Sequence, residues 1–493
     1  MRIRHNQQYT RHALKASLFY LLGMISAFLP SSEGAEPAAP LPRVRPAPDG
    51  RSWITAQNQP FIPLGINYFR PGTGWAPQLW KQFDATAVRQ DFARMKELGI
   101  NCVRVFLTYG SFFTQTNSLE SAGLDKLDQF LNIAEAHGIY VHPTGPDHWE
   151  GLPEWARGDR IADDKVLTAL ETFWTLLARR YQGRAVIFAY DLLNEPAVGW
   201  DTPALRSKWN SWLIEKYGSP TNAAKAWRIS PEAIQWNNQP PPAAKDAPGN
   251  PQLLDYQHFR EQMADDWTRR QSAAIKKADP QALVTVGFIQ WSIPSLLPGV
   301  SQYAAFRPSR QARYLDFMEV HFYPFNNGFF EYQNENETIG NLAYLHSVVR
   351  ETASVGKPVV LAEFGWYGGG KLTINQGKHP AATEIQQANW CVKAIEVTSG
   401  LASGWLNWGL YDHPEAKDVT QLTGLLTVQG KNKAWADSFK QLSQKTMPIL
   451  ITQDILSKLP ILDWDAAITD RQVGNRFRQQ YHEIMRSVLS QER

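Results

Sequence analysis

Cysteine, charge of one sign and long apolar segments are all scarce in this chain. Its 493 residues include only Cys102 and Cys391, so at most one disulfide can form, and no Cys/His spacing of a zinc site occurs. The 50 basic and 47 acidic residues give a net charge of +3. This balance argues against nucleic acid as the main partner, because no basic excess is present to neutralise phosphates. The chain is long enough to bury a sizeable core without a disulfide or a metal.

Only the N-terminus carries a longer apolar run, over residues 16–29 behind a basic segment at 1–15. The run has the length of a secretory h-region and is short for a bilayer anchor, which needs about 20 residues. We therefore predict a signal peptide over residues 1–35 and a secreted or periplasmic protein without stable membrane insertion after cleavage. An uncleaved signal anchor is the alternative. Residues 36–50 are predicted to be a Pro-rich linker.

The remainder alternates β-branched apolar runs with helical periodicity. Eight runs start near residues 61, 101, 139, 185, 282, 316, 358 and 402. Helical patterns follow several of them, at Ala87–Leu98, Leu124–His137 and Val166–Tyr181. Five glycines stand where helices end just before the next strand: Gly99, Gly138, Gly183, Gly356 and Gly400.

Eight strand–helix units predict an α/β protein, a closed (β/α)8 barrel over residues 51–445. The alternative is an open doubly wound sheet, which is disfavoured because no G-x-G-x-x-G sequence follows the first strand. The interval after the fourth strand is about twice the usual one and holds a helical and loop insertion at about 197–250. Residues 446–493 are predicted to form a short extension with one amphipathic helix.

Two glutamates follow the apolar runs of the fourth and seventh strands, Glu195 after Leu193-Asn194 and Glu363 after Ala362. The carboxyl ends of barrel strands carry the active site, and a carboxylate there costs free energy unless it is paired or used. Two carboxylates across a barrel mouth match glycoside hydrolysis, which needs one acid and one nucleophile or base. The competing interpretation is two separately salt-bridged acids.

Other strands also end in polar or aromatic side chains, each of which alone has a structural explanation. The combined ordered set is Arg104, His142, Asn194-Glu195, His321-x-Tyr323, Glu363 and Trp408. This set resembles glycoside hydrolase family 5 of clan A, over roughly residues 53–445. The resemblance implies a retaining mechanism with Glu195 as acid/base and Glu363 as nucleophile.

The resemblance also implies roles for the neighbours of these two glutamates. Asn194 would hold the sugar 2-hydroxyl, and Arg104 and Tyr323 would hydrogen-bond Glu363. Glu363 must be ionised near neutral pH, and an adjacent cation such as Arg104 lowers a carboxylate pKa.

Histidines and a tryptophan complete the implied sugar site. His142 and His321 would line the cleaving subsite, with Trp408 as its stacking floor. The third strand departs from the family pattern, since it reads His142-Pro-Thr-Gly-Pro-Asp-His148. Either His142 or His148 then takes the family's histidine role.

The implied function is a secreted endo-β-1,4-mannanase-like or glucanase-like hydrolase of β-linked polysaccharide or oligosaccharide. Residues 209–227 resemble an insertion of clan A β-galactosidases of family 42, so an exo-acting β-galactosidase or β-mannosidase stays open. A non-catalytic carbohydrate-binding barrel is disfavoured because both carboxylates are present. No cofactor is expected. No metal is expected either, since the spacing of His142, Asp147, His148 and Glu150 matches no metal motif.

Overall fold

The computed structural model describes residues 40–72, 76–295, 300–324, 335–374, 379–447 and 449–490. The predicted signal peptide and the first residues of the predicted linker lie outside the described residues. In the part of the chain that is described, no helix combines the length and the hydropathy needed to cross a membrane.

A three-stranded antiparallel sheet precedes the barrel, with strands β1 (Val44–Pro46), β2 (Trp53–Thr55) and β3 (Pro60–Phe61). Part of the segment predicted as linker is therefore β1. Trp53 packs edge-on against Phe188 and Phe317, with ring centroids 5.1 and 5.0 Å apart. Both phenylalanines lie just before barrel strands, so this sheet closes the amino-terminal face of the barrel.

Eight parallel strands form a closed barrel, which confirms the predicted (β/α)8 fold and excludes the open sheet. The strands are β4 (Leu64–Asn67), β5 (Cys102–Thr108), β6 (Tyr140–Asp147), β7 (Tyr190–Asn194), β8 (Val284–Phe288), β9 (Met318–Phe322), β10 (Val359–Phe364) and β11 (Trp405–Trp408). Each starts within a few residues of its predicted position. The ring closes where β11 pairs with β4.

Helices occupy the intervals between strands and continue beyond the barrel. They are α1 (Ala76–Lys81), α2 (Ala85–Glu97), α3 (Tyr109–Phe112), α4 (Ser121–His137), α5 (Asp164–Arg180), α6 (Pro203–Tyr217), α7 (Pro220–Trp227), α8 (Pro251–Ala278), α9 (Pro308–Gln311), α10 (Glu335–Ala353), α11 (Glu384–Thr398), α12 (Ala434–Leu442), α13 (Gln453–Lys458), α14 (Trp464–Ala467) and α15 (Arg471–Leu489). The five glycines predicted to end helices all have positive φ.

The insertion after β7 consists of α6 and α7 followed by a loop. Trp209 stacks on Trp212 and Trp227, at 5.3 and 6.2 Å between ring centroids. Trp209 also contacts Tyr256 and Phe259 of α8, at 5.1 and 5.4 Å between ring centroids. These tryptophans form the core of the insertion, so their abundance reflects packing at this place rather than a sugar platform.

The C-terminal extension packs against α10 and reaches the insertion. Tyr481 of α15 contacts His346 of α10, with 2.6 Å between the hydroxyl and Nδ1. The Thr469 carbonyl accepts from the Ala247 N–H at 2.8 Å, and the Ile468 carbonyl accepts from Gln257 of α8 at 2.8 Å. The extension thus ties the insertion loop to the helices around the barrel.

The two cysteines are free and buried. Cys102 begins β5 and faces the barrel interior, whereas Cys391 lies in α11. One thiol lies in a barrel strand and the other in a helix, and they form no disulfide.

Candidate active site

Arg104 of β5 is the centre of a polar network inside the barrel mouth, and its side chain is fully buried. One terminal nitrogen, Nη1, donates to Glu363 Oε1 at 2.6 Å and to Asn67 Oδ1 at 2.9 Å. The other, Nη2, donates to Asp191 at 2.7 Å and to Asn194 at 2.9 Å. A single guanidinium therefore fixes Glu363 and Asn194 relative to each other.

Two further buried acids complete this network, and the sequence reasoning did not single them out. Asp191 lies on β7, and Glu319 lies on β9 with its Oε1 at 3.2 Å from Arg104 Nε. Alternation along a strand places Glu319, His321 and Tyr323 on one face. That pattern in Met-Glu-Val-His-Phe-Tyr is the signal that identifies Glu319, and the same reasoning applies to Asp191 four residues before Glu195.

Glu195 and Glu363 stand at the carboxyl ends of β7 and β10, and a carboxylate oxygen of one lies within 4.8 Å of the other. The strand ladder shifts register just before each of them, between Asp191 and Asn194 and between Leu361 and Glu363. Such irregularities re-aim side chains near active sites. The Glu195 side chain is 30% exposed and that of Glu363 is 4% exposed.

His321 lies between the two glutamates. Its Nδ1 is 3.2 Å from Glu195 and 3.5 Å from Glu363, while its Nε2 is 3.4 Å from Glu319. Burial alone would lower the pKa of His321, but the Glu363 charge and the contacts to Glu195 and Glu319 raise it to about 9. The imidazole is therefore a cation near neutral pH.

Glu363 experiences opposing influences on its protonation. Burial raises the pKa of its carboxyl group and Glu195 adds to this, while the charges of His321 and Arg104 lower it. The net direction is upward, which differs from the expectation based on Arg104 alone, because the side chain is enclosed. The Tyr323 hydroxyl donates to the second oxygen, Oε2, at 3.0 Å.

The two candidate histidines of the third strand occupy different positions. His142 is buried below the site, between the Ala189 carbonyl and Glu319, at 2.8 Å from each. This position supports Glu319 rather than forming a wall of the cleft. His148 is 46% exposed, and its Nδ1 lies 3.5 Å from Asp147. Of the two, only His148 is exposed to solvent.

Trp408 belongs to an aromatic cluster on the other side of the mouth. Its ring lies 5.3 Å from Phe69, 5.9 Å from Phe106 and 6.5 Å from Tyr323. The indole N–H donates to Thr420 at 2.8 Å, which fixes the ring plane. Trp408 is nearly enclosed by its neighbours and forms part of an aromatic wall.

Glu195, His321 and Glu363 also offer three potential metal-ligand atoms within 4.8 Å of one another. Arg104 places a positive charge 2.6 Å from Glu363, and the protonated His321 adds another. Both charges oppose a divalent cation at this place. The arrangement is suited to proton transfer with charge compensation rather than to metal binding.

The model of the cellulase family, glycosyl hydrolase family 5, matches residues 55–413. A probable mannan endo-1,4-β-mannosidase A of Aspergillus flavus is 26% identical over 213 residues, which cover 37% of this chain and 54% of that protein. The chain thus spans about half the length of this relative.

Solved structures with the same fold include two glycosidases. An exo-β-1,4-mannosidase from an Opitutaceae bacterium superposes with a TM-score of 0.56 at 17% identity, over 81% of this chain and 61% of that one. A β-galactosidase from the haloarchaeon Halorubrum lacusprofundi superposes with a TM-score of 0.59 at 17% identity, over 78% of this chain and 58% of that one.

Proposed function

Because the chain belongs to glycosyl hydrolase family 5, we propose that it hydrolyses β-linked glycosides with retention of configuration, using Glu195 and Glu363. The observation that carries this proposal is the close approach of the two carboxylates, with oxygens within 4.8 Å of each other. Retaining enzymes hold their carboxyl groups about 5–5.5 Å apart, whereas inverting enzymes need about 6.5–9.5 Å. Their different exposure supports distinct roles.

In the first step Glu363 attacks the anomeric carbon while Glu195 protonates the departing oxygen. Glu363 is enclosed, and its two oxygens are fixed by Arg104 and Tyr323 at 2.6 and 3.0 Å. This holds the nucleophile at one angle and distance from the sugar. Glu195 is more exposed, as a group that meets both leaving groups and water must be.

In the second step Glu195 acts as base on a water molecule that releases the sugar from Glu363. The negative charge moves from Glu363 to Glu195 between the two steps. His321, with Nδ1 at 3.2 and 3.5 Å from these carboxylates, compensates the charge in both states. We propose that Asn194, which Arg104 holds at 2.9 Å, binds the 2-hydroxyl of the sugar.

We propose β-mannosides as the substrate class. Both the Aspergillus relative and the Opitutaceae structure bear names of enzymes that act on β-1,4-mannosidic bonds, one endo-acting and one exo-acting. The insertion α6–α7 begins at Pro203, after the short loop that follows Glu195 at the end of β7. This position makes the insertion the candidate determinant of endo or exo action.

The N-terminal sequence supports export as a further proposal.

A substrate panel tests the function. The purified protein is assayed on mannan, glucan, xylan and on aryl β-mannoside, β-glucoside and β-galactoside, with Glu363→Gln as the matched inactive control. Hydrolysis of mannan or the aryl β-mannoside, lost in Glu363→Gln, is the expected result. Preference for the β-galactoside would change the proposed substrate class. If none of the substrates is hydrolysed, the proposed glycosidase activity is wrong.

The stereochemistry of the first product tests the mechanism separately. Proton NMR of the reaction should show the β-anomer forming first and the α-anomer appearing later by mutarotation. An α-anomer as the first product would reject retention and, with it, the nucleophile role of Glu363.

A further inference from the structure

One carboxylate at the barrel mouth has no role in the proposed reaction. Asp147 ends β6, and its side chain is fully buried. Oδ1 accepts from the Trp149 backbone N–H at 3.1 Å, but Oδ2 has no donor among the described residues. Burial raises the pKa of Asp147 to about 7, against the hydrogen bond from Trp149 and the charge of Arg160. A buried acceptor without a donor costs folding free energy, so we expect Oδ2 to have a hydrogen-bond partner.

Arg160 is the complementary group. Its Nη1 is closed to solvent and has no acceptor in the part of the chain that the structure describes. Its charge acts on Asp147 and on His148, yet Arg160 and Asp147 share no hydrogen bond. One buried acceptor and one buried donor are therefore both without a partner among the described residues.

The loop carrying Arg160 is fixed from two sides. The Arg160 carbonyl accepts from the indole N–H of Trp267 on α8 at 3.1 Å. The preceding Asp159 accepts from the Ile161 N–H at 2.8 Å and from the Thr202 hydroxyl at 2.5 Å, at the start of the insertion. The guanidinium is thus presented by an anchored segment.

The position of the pair borders the proposed sugar subsite. Asp147 pairs with Thr108 across the β5–β6 ladder, on the strand that carries Arg104. Trp149 lies 4.6 Å from Phe106, which in turn contacts Trp408. Asp147 therefore lies between the carboxylate network and the aromatic wall.

We propose that Asp147 and Arg160 bind one hydroxyl of the sugar in the cleaved subsite, which donates to Oδ2 and accepts from Nη1. This inference rests on the proposed glycosidase function. A hydroxyl satisfies both groups at once, since it offers one donor and two lone pairs. His148, 46% exposed and with its Nδ1 3.5 Å from Asp147 Oδ1, stands beside this pair at the rim. The pair recognises the sugar and takes no part in proton transfer.

The test combines substrates that lack one hydroxyl with protein variants that lack its proposed partners. kcat/KM is measured for the preferred aryl β-glycoside and for its 3-deoxy, 4-deoxy and 6-deoxy forms, with the wild type, Asp147→Asn and Arg160→Gln. On the parent substrate each variant should lose roughly 10- to 100-fold in kcat/KM, as expected for a hydrogen bond to a charged group. On one deoxy substrate the same variants should lose no more than about 2-fold, because the partner hydroxyl is already absent.

Asp164→Asn is the matched control, since Asp164 lies on the nearby α5 with its side chain 69% exposed and paired with surface cations. This variant should match the wild type on every substrate. An equal loss for Asp147→Asn and Arg160→Gln on the parent and all deoxy substrates would mean a structural role and overturn the inference. Such a flat profile leaves the proposed function intact, whereas an inactive wild type rejects both. If Asp147→Asn does not fold, Arg160→Gln alone decides.

Discussion

At the scale of single residues, two chemically identical side chains are made different by their surroundings. Glu363 is enclosed and fixed by Arg104 and Tyr323, while Glu195 is 30% exposed and contacts His321. Enclosure suits an atom that must attack in one direction. Exposure suits a group that must exchange its proton with a leaving group and then with water. The proposed roles can therefore be separated by experiment.

Chemical rescue should distinguish the two glutamates. Glu195→Ala should still form the covalent intermediate from a dinitrophenyl glycoside, because that leaving group departs without a proton, and then stall. Azide should restore turnover and yield a β-glycosyl azide, whereas Glu363→Ala with azide should yield only the α-azide. Product anomers are read by NMR. An α-azide from Glu195→Ala would mean that the roles are exchanged.

His321 should make stability depend on pH in the alkaline range. Its pKa rises from an ordinary 6.5 to about 9 in the folded chain. The folded protein therefore binds the proton more tightly than the unfolded chain. The resulting stabilisation is complete below about pH 6.5 and is lost as the pH rises through 9.

Urea unfolding of the wild type and His321→Gln at pH 6 and pH 10 measures this contribution. The stability gap between the two proteins should narrow by about 3 kcal/mol from the lower to the higher pH. His258→Gln is the control, because His258 is partly exposed and pairs with Asp465 at the surface. A gap that widens with pH would show that His321 is neutral in the folded chain.

At the scale of the strand, the alternation of side chains decides what the sequence reveals. The ends of β7 and β10 identify Glu195 and Glu363, because each acid interrupts an apolar run. Glu319 is less conspicuous because it lies within β9 rather than at its end, so only its alternation with His321 and Tyr323 indicates its direction. Its partners, Arg104 and His142, come from other strands, so only the closed ring brings the three together.

The same limit explains His142 and His148. Both follow the third apolar run, and the sequence contains nothing that sets the depth of each inside the barrel. The β6 strand continues to Asp147, which carries His142 below the mouth and leaves His148 at the rim. The strand positions, the helix-ending glycines and the insertion helices were predictable because they depend on local periodicity.

Glu319 should contribute more to the free energy of unfolding than Asp316, an acid just before the same strand. Glu319→Gln removes the counter-charge of buried Arg104 and the partner of His142, which should cost about 3–5 kcal/mol. Asp316→Asn, which weakens a partly exposed pair with Lys276 and keeps an oxygen that can accept from the Val284 N–H, should cost about 1 kcal/mol or less. Urea unfolding at neutral pH gives both values, and equal costs would contradict the buried network.

At the scale of the whole molecule, the C-terminal extension is part of the structural unit around the barrel. Phe477, Tyr481 and Met485 of α15 are buried against α10, while the start of the extension holds the insertion loop through Thr469. The extension therefore links two regions that are far apart in the chain. Loss of the extension should therefore destabilise both the barrel and the insertion.

Phe477→Ala tests this coupling. Removal of a buried phenylalanine should cost about 3–5 kcal/mol, and unfolding should remain a single transition because the extension and barrel share one core. Ile461→Ala, at a side chain 89% exposed, should change stability by less than about 0.5 kcal/mol. Calorimetry checks both. A separate low-temperature transition for the extension in Phe477→Ala would show that it folds independently.

The small sheet beneath the barrel has a consequence for the order of assembly during synthesis. Trp53 is among the earliest residues of the fold to leave the ribosome, yet its contacts are Phe188 and Phe317, which are made much later. The β1–β3 segment therefore lacks its packing partners until most of the barrel has been translated. The small sheet is thus translated first but becomes packed only late. A nascent chain should stay sensitive to proteolysis near Trp53 until the strand after Phe317 has emerged.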